Sequence, residues 1–396
     1  MKILVSNIGS TSFKYRLYAM PEETLLARGG VERIGAENSR SYVIRDGETT
    51  EKVAPVPDHG EALSACFGQL TDPETGCLKE AGEIAAIGFK SVHAKGVSGV
   101  QLVDEKVLEA MEAFAKVAPA HNPPYVKAMR QLKSAYPELP LVAAFETGFH
   151  QTVPRANRTY AIPYEWMTDL GVERWGFHGA SHRYIAGRIA ELTGGKAKRV
   201  ISCHLGGSSS ICAIENGKSV GASMGMSPQS GLPNNNRVGD LDVFALPAIL
   251  EGTDKSLEEV LDVLANQSGL LGISGVGNDL REIEEAAAGG NERATLAIDV
   301  FVESIRDYLG SYLVRLGGLD ALVFTGGIGE NSSVIRERVC RGLDGFGIVL
   351  DASTNESFKG EGRLSPELSA TEVWVVPTNE EIIVARQSYE RLTAKD

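Results

Sequence analysis

Three glycine- and serine-rich turns carry the residues best suited to hold phosphate. The first runs Asn7-Ile-Gly-Ser10-Thr-Ser12-Phe-Lys14 after a short apolar stretch. A tight strand–turn–strand of this composition aims backbone N–H groups to one side, and serine hydroxyls add donors. Lys14 supplies a point charge, and the Asn7 amide oxygen suits a metal ion or a water bound to one. The second turn, His204-Leu205-Gly206-Gly207-Ser208, follows the apolar run Arg199–Cys203. The third, Thr325-Gly-Gly327-Ile328-Gly329-Glu330-Asn331, sits between the apolar run Ala321–Phe324 and a helical pattern. That is where a nucleotide meets a helix N-terminus. No Gly-x-x-x-x-Gly-Lys-Ser/Thr motif is present. Each turn alone reads as an ordinary turn; three in one chain point to a nucleotide cleft.

Six of the seven histidines lie in short segments flanked by Gly, Pro or aromatic residues: His93, His121, His150, His178, His182 and His204. His178 and His182 have the i, i+4 spacing of a zinc pair. The intervening residues are Gly-Ala-Ser, with no general-base Glu and no third ligand in view, so zinc is disfavoured. A catalytic or phosphate-binding His178 fits better, with Gly176 and Gly179 leaving room for a ligand. Structural hydrogen bonding is the expectation for His121, His150 and His182. Arg237, in Pro233-Asn-Asn-Asn-Arg-Val-Gly239, either binds an anion as a bidentate fork or is a solvated surface cation.

The elements that must position these groups alternate along the chain. Lys2–Val5, Phe13–Tyr18, Pro140–Phe145, Arg199–Cys203, Ala321–Phe324 and Val373–Val376 read as strands. Glu105–Val117, Tyr184–Leu192, Leu257–Ala265 and Ala294–Leu316 carry apolar residues at helical spacing. Residues 38–60 read as a peripheral hairpin or loop. The pattern is that of an α/β protein with mixed or parallel sheets. The first two turns also repeat: with Asn7 set against His204, Gly9 meets Gly206 and Ser12 meets Ser209. A repeat at half the chain length implies duplicated halves facing each other across a cleft.

Composition bounds the function. The 396 residues allow two or three domains. Lys and Arg (39) against Asp and Glu (52) leave a net charge of −13, which argues against nucleic acid or an anionic membrane as partner. No apolar run reaches the length of a membrane span, and the first residues do not read as a signal peptide. Five scattered cysteines without a Cys-x-x-Cys pair read as reduced thiols, and the expected location is cytoplasmic.

Taken together, these segments resemble the acetate kinase family, within the superfamily of acetate and sugar kinases, Hsp70 and actin. Asn7-x-Gly-Ser-x-Ser-x-Lys14 and Gly176-Phe-His-Gly-x-Ser-His182 look like its two signatures. Pro119-Ala-His-Asn-Pro123, Cys203-His-Leu-Gly206, Ser223-Met-Gly-Met-x-Pro228, Ser268-Gly-Leu-Leu-Gly272, Phe324-Thr-Gly-Gly-Ile-Gly-Glu-Asn331 and Pro377-Thr-Asn-Glu-Glu381 follow in the family's order. The resemblance implies an α/β fold of duplicated ribonuclease-H-like (actin-like ATPase) domains, and a homodimer. The first domain would comprise residues 1–146 with 383–396, the second 147–382. It implies ATP-dependent phosphorylation of acetate, giving acetyl phosphate and ADP. Asn7 and Glu380 would hold Mg²⁺. Ser10, Ser12, Lys14 and the loop His204, Leu205, Gly206, Gly207, Ser208 would surround the phosphates of ATP or ADP. Asp279, Leu280 and Arg281 would bind adenosine, and Gly327, Ile328, Gly329, Glu330 and Asn331 would line the adenine site. Glu146, His178 and Arg237 would be catalytic, His178 and Arg237 stabilising the transferring phosphoryl group. Lys90, Val92, Ala120, Phe177 and Pro228 would receive the carboxylic acid.

On the acid side the chain departs from the family. The carboxylate-binding arginine is Lys90, a point charge in place of a fork. The catalytic aspartate is Glu146, one methylene longer, and the two changes compensate if the side chains touch. A usual leucine is Ala120, which would enlarge the acyl pocket. Asn236 replaces a threonine, and Gly207-Ser208 replaces Asn-Gly. Lys95, if it points inward, would favour an acid with extra negative charge or a hydroxyl. Three readings follow: an acetate kinase with a tolerated Lys90/Glu146 pair, a kinase for a different short-chain or substituted acid, or a nucleotide-binding paralogue with little transferase activity. A chaperone ATPase or filament-forming protein of the same superfamily is the alternative outside kinases.

Overall fold

The computed structural model describes residues 1–9, 11–119 and 121–394. Ser10 and Ala120, both expected in the site, lie outside the described residues. The chain divides into two compact units, residues 1–148 with 379–396 and residues 149–378.

The first unit is built on an eight-stranded sheet. Its strands are β1 (Lys2–Gly9), β2 (Ser12–Ala19), β3 (Thr24–Glu32), β4 (Ser39–Arg45), β5 (Glu48–Ala54), β6 (Ile84–Ser91), β7 (Val100–Leu102) and β8 (Leu141–Phe145). Their spatial order is β5-β4-β3-β2-β1-β6-β8-β7. From β5 to β1 neighbours run antiparallel; β1, β6 and β8 are parallel. Residues 39–54 therefore extend the sheet edge as a hairpin rather than forming a loop. One sheet face alternates Phe13, Tyr15 and Leu17 with Ala27, Val31 and Val43, and packs on the helices His59–Leu70 and Asn122–Ala135. Burial of this alternating face fixes the register. On the other face the helix Glu380–Thr393 lies against β6. A Cβ at Gly88 would meet Ser388 Oγ at 2.4 Å, so the close approach needs glycine.

The second unit repeats the plan. Its strands are β9 (Arg199–His204), β10 (Ser210–Glu215), β11 (Lys218–Ala222), β12 (Ala321–Thr325), β13 (Gly362–Arg363) and β14 (Glu372–Val375), in the order β11-β10-β9-β12-β14-β13. Again three antiparallel strands lead into parallel β9, β12 and β14. Strands β8 and β12, Leu-Val-Ala-Ala-Phe and Ala-Leu-Val-Phe-Thr, are buried at every position, as parallel strands covered on both faces must be. The 25-residue helix Glu292–Leu316 turns its apolar stripe, Ile298, Phe301, Ile305 and Leu309, into this core. The shared strand order is the duplicated actin-like ATPase fold. The two turns differ in length: Gly9 pairs directly with Ser12, whereas residues 205–209 form a longer loop between His204 and Ser210.

Two helices differ from the periodicity. The first ends at Ala113, and the second begins at Gly179, one residue after His178. All five cysteines are free thiols. Among the described residues no helix is long and apolar enough to cross a membrane.

Candidate functional site

In the second unit the sequence-predicted nucleotide residues come together. Leu205 follows β9, and its N–H donates to Thr325 O at the end of β12 (2.8 Å). The Leu205 carbonyl in turn accepts from the N–H groups of Ile328 (2.8 Å) and Gly329 (3.1 Å). The second and third turns are thus tied to each other. Gly326 makes this approach possible: it has φ +77°, and a Cβ there would lie 2.6 Å from Leu205 O. Between the turns lies a cavity of about 510 Å³ lined by Gly206, Gly207, Asp279, Arg281, Gly327 and Asn331, with Leu280 and Ile328 on its wall. Asp279 caps the helix Leu280–Ala288 and is ion-paired with Arg281, whose guanidinium draws the Asp279 carboxyl down to about 2. Glu330 accepts from the Gly326 N–H (2.9 Å), closing the short helix Gly326–Asn331 on itself.

Arg237 sits on a loop that hydrogen bonds hold from two sides. Asn234 N–H donates to Arg237 O (3.0 Å), and Leu270 and Leu271 N–H donate to the carbonyls of Asn234 (2.9 Å) and Asn235 (2.8 Å). Gly269, at φ +60°, lies so close that a Cβ would be 2.1 Å from Asn234 O. The buried Asn234 side chain accepts from Ser209 N–H at 2.7 Å. Arg237 Nη1 donates to Ser208 Oγ (3.0 Å) in the second turn. Burial lowers the guanidinium's pKa. A cation in this position is costly without an anionic partner, which favours the anion-binding reading of Arg237 over a solvated one.

The histidines cluster beside the same loop. His178 has φ +55° at the start of the helix Gly179–Leu192, and its Nδ1 is 2.8 Å from Ser210 Oγ. Its ring stacks on His204 at 4.2 Å, and His204 Nδ1 is 2.8 Å from Ser181 Oγ. Both ring nitrogens of His182 are occupied, by Ser202 and Ser210 Oγ at 2.9 Å each. His150 joins Ser219 Oγ and Phe177 O, also at 2.9 Å. Burial lowers the pKa of both, to about 4 for His150 and well below the ordinary value for His182. These two are structural hydrogen-bonding groups, as expected. The room at Gly176 is used differently from the expectation: a Cβ would strike the His150 ring at 2.7 Å, so this glycine admits a side chain of the fold. Phe177 and Pro228 are buried within the second unit.

The first unit gathers charges instead. Lys90, near the end of β6, is ion-paired with Glu380 and lies 4.0 Å from Glu146 Oε1. Glu146 follows β8 and is 4% exposed; Glu380 opens the C-terminal helix. Burial alone would lower the Lys90 pKa, but the carboxylates of Glu380 and Glu146 outweigh it and raise it. Lys90 and Glu146 do touch, yet the tighter partner of Lys90 is Glu380. Asn7 Oδ1 accepts from Tyr125 OH (3.1 Å). Lys14 faces Asn7 across the β1–β2 ladder and is 4.0 Å from Glu32; Ser12 sits half-buried at the turn. Val92 is buried. Lys95 is exposed rather than inward-facing, so it adds no charge to an acid pocket.

Sequence reasoning passed over Tyr125, Asn234, Ser210 and Ser181. Asn234 lay in a visible run of three asparagines; the serines and Tyr125 left no such mark.

Two actin-like ATPase units, one with tied glycine-rich turns, Arg237 bonded to Ser208 and a cavity of about 510 Å³, are the frame of a phosphotransferase of the kinase class. The acetokinase family profile matches residues 2–386. Acetate kinase of Bacillus subtilis is 43% identical over 389 residues, covering 97% of this chain and 98% of that one. Acetate kinase of Geobacillus kaustophilus is 42% identical over 388 residues, covering 97% and 98%. The solved acetate kinase of Porphyromonas gingivalis aligns with a TM-score of 0.89 at 39% identity, over 99% of this chain and 100% of that one. A propionate kinase from Francisella tularensis aligns at 0.88 and 34%, over 98% of both. The chain belongs to the acetokinase family.

Proposed function

We propose that this carboxylate kinase transfers the γ-phosphoryl group of MgATP reversibly to acetate, giving acetyl phosphate and ADP. The observation that carries the reading is a cavity in the second unit around which Gly206, Gly207, Asp279, Arg281, Gly327, Ile328 and Asn331 converge. Asp279, Leu280, Arg281 and Gly327 to Asn331 bind the nucleoside. Ser10, Ser12, Lys14 and His204 to Ser208 bind the phosphates. The side-chain oxygens of Asn7 and Glu380 are the hard ligands Mg²⁺ takes, directly or through water, and both belong to the first unit. When bound, the ion neutralises charge on the phosphate oxygens.

The acceptor carboxylate is held by Lys90 against Val92, Ala120, Phe177 and Pro228. One of its oxygens attacks the γ-phosphorus as the bond to the ADP oxygen breaks. Little covalent help is needed in so loose a transition state; positioning and positive charge decide the rate. Arg237 supplies a desolvated guanidinium and His178 a hydrogen-bonded imidazole at the equatorial oxygens. Glu146 orders Lys90 and the acceptor.

A different short-chain acid is the second reading, favoured by Lys90 in place of a guanidinium and by the likeness to a propionate kinase. Purified protein, MgATP and single acids from formate to butyrate, with glycolate, lactate and sulfoacetate, are trapped with hydroxylamine. Acetyl hydroxamate in excess supports acetate; preference for another acid moves the assignment; no product despite ATP binding makes the chain a nucleotide-binding paralogue. A cytoplasmic homodimer completes the proposal. Its support is the exposed apolar set Leu241, Val243, Phe244, Leu257 and Leu261 on the second unit. Sedimentation of Phe244→Asp as a monomer checks it.

A further inference from the structure

We infer that the open face of the first unit's sheet carries a further anion site, which adds Arg16 and Arg28 to Asn7 and Lys14, for a small oxyanion with two or more negative charges. The register of β2 and β3 sets Arg16 directly opposite Arg28. Like charges in facing positions destabilise a sheet unless something neutralises them. The neutralisation within the chain is slight. Arg16 has Glu381 at 3.6 Å, and Lys14, on the same face, has Glu32 only at 4.0 Å. Arg28, exposed, makes no hydrogen bond or ion pair among the described residues. The helix Glu380–Thr393 packs over β1, β2, β6, β7 and β8, leaving the face of β3 and β4 without a helix. There a cavity of about 300 Å³ is lined by Asn7, Lys14, Arg16, Arg28, Tyr42 and Glu381. Three cations and one carboxylate around one hollow is an unusual concentration in a chain of net charge −13. A guanidinium fork accepts two oxygens of a phosphate or a dicarboxylate at once, which relieves the Arg16–Arg28 contact.

Asn7 and Lys14 also line this hollow, so on the reading of Proposed function a bound anion competes with the nucleotide phosphates. The binding itself does not depend on that reading. Titration calorimetry of the full chain without nucleotide, against inorganic phosphate and separately malonate, tests it. Wild type binds one or both saturably, and the tighter names the source. Arg28→Gln binds about tenfold or more weakly, and Arg28→Lys falls between, since a charged hydrogen bond is lost or halved. Without anion, Arg28→Gln melts about 1–2 °C higher as the like-charge contact disappears. Its MgATP affinity and basal turnover stay at the wild-type level. Wild-type binding by Arg28→Gln, or no saturable binding by wild type, overturns the site. Equal loss of phosphate and MgATP binding in Arg28→Gln also overturns it, placing Arg28 in the nucleotide site. If Arg28→Gln loses phosphate alone while wild type makes no acyl phosphate, the anion site stands and the proposed activity falls.

Discussion

The second unit solves its site with neutral hydrogen bonds, the first with opposed charges. Around Leu205 most of the polar groups are backbone amides, serines and imidazoles joined by hydrogen bonds, and Arg237 is held half-buried beside Ser208. Around Lys90 two carboxylates compete for one ammonium. A network made mostly of hydrogen-bonded dipoles depends little on the charge of what binds beside it. A triad with net charge −1 is tuned by whatever joins it. This difference matches the departures from the family: the side proposed for the nucleotide stays close to the family's pattern, while Lys90 and Glu146 change on the side proposed for the acid.

The sharpest test of that contrast removes the ammonium. Lys90→Ala leaves Glu146 and Glu380 facing each other without a cation. On the proposed roles, kcat/KM for the acid falls about 10²–10³-fold. The KM for MgATP changes less, since the proposed nucleoside residues Asp279, Arg281 and Gly327 to Asn331 lie in the second unit and only the proposed metal and first-turn contacts lie in the first. Steady-state kinetics with each substrate varied separately gives both numbers; equal losses in the two would erase the distinction between the units.

Arg237→Lys probes the other side. Lysine keeps the charge but not the fork, and its ammonium is harder to desolvate. A loss of about 10²-fold in kcat with near-normal KM for the acid is expected. The compensation idea follows in size. Lys90→Arg alone crowds Glu146, and Glu146→Asp alone withdraws from Lys90. The double variant recovers activity by a coupling of about 1–2 kcal/mol in a double-mutant cycle. Additive losses would show that Lys90 answers to Glu380 alone.

The buried imidazoles make the second unit acid-sensitive. His150 stays neutral in the folded chain down to about 4, whereas an unfolded histidine takes up its proton near 6.5. Below 6.5 the unfolded state binds more protons, so stability falls as pH falls, by up to about 1.4 kcal/mol per unit, until the folded pKa is reached. At pH 5 His150 alone removes about 2 kcal/mol, and His182 acts in the same direction. All three tryptophans, Trp166, Trp175 and Trp374, lie in the second unit, so their fluorescence follows its unfolding. Urea midpoints at pH 7.5 and 5 should differ clearly in wild type and less in His150→Asn.

What the sequence made legible follows physical range. Strands β8, β9 and β12 were readable because burial on both faces demands an unbroken apolar run. The turns after β1, β9 and β12 were readable because tight turns between strands and helices draw on Gly and small polar residues. The 290 residues separating Lys90 from Glu380 hid the main partner of Lys90, since an ion pair between β6 and a terminal helix leaves no local pattern. Tyr125 and Ser210 were hidden likewise: each acts through hydrogen bonds to residues far along the chain. Gly176 misled for a related reason. A glycine beside a histidine announces that something comes close, but not whether it is a ligand or, as here, another histidine.

The smallest expected effect bears on acid choice. Lys95 lies five residues past Lys90 and could supply a second charge to the acid only from inside the unit. Its side chain is exposed, with its backbone N–H bonded to Ala110 O at 2.9 Å after the turn out of β6. Lys95→Ala should therefore leave the ranking of acids unchanged and kcat/KM for acetate within about twofold, the scale of a screened surface charge. Lys90→Ala, five residues earlier, should flatten that ranking. If Lys95→Ala instead lowered the rate with glycolate or sulfoacetate selectively, the acid would have to reach beyond the Lys90 triad, and the specificity of the first unit would extend past the charges that distinguish it.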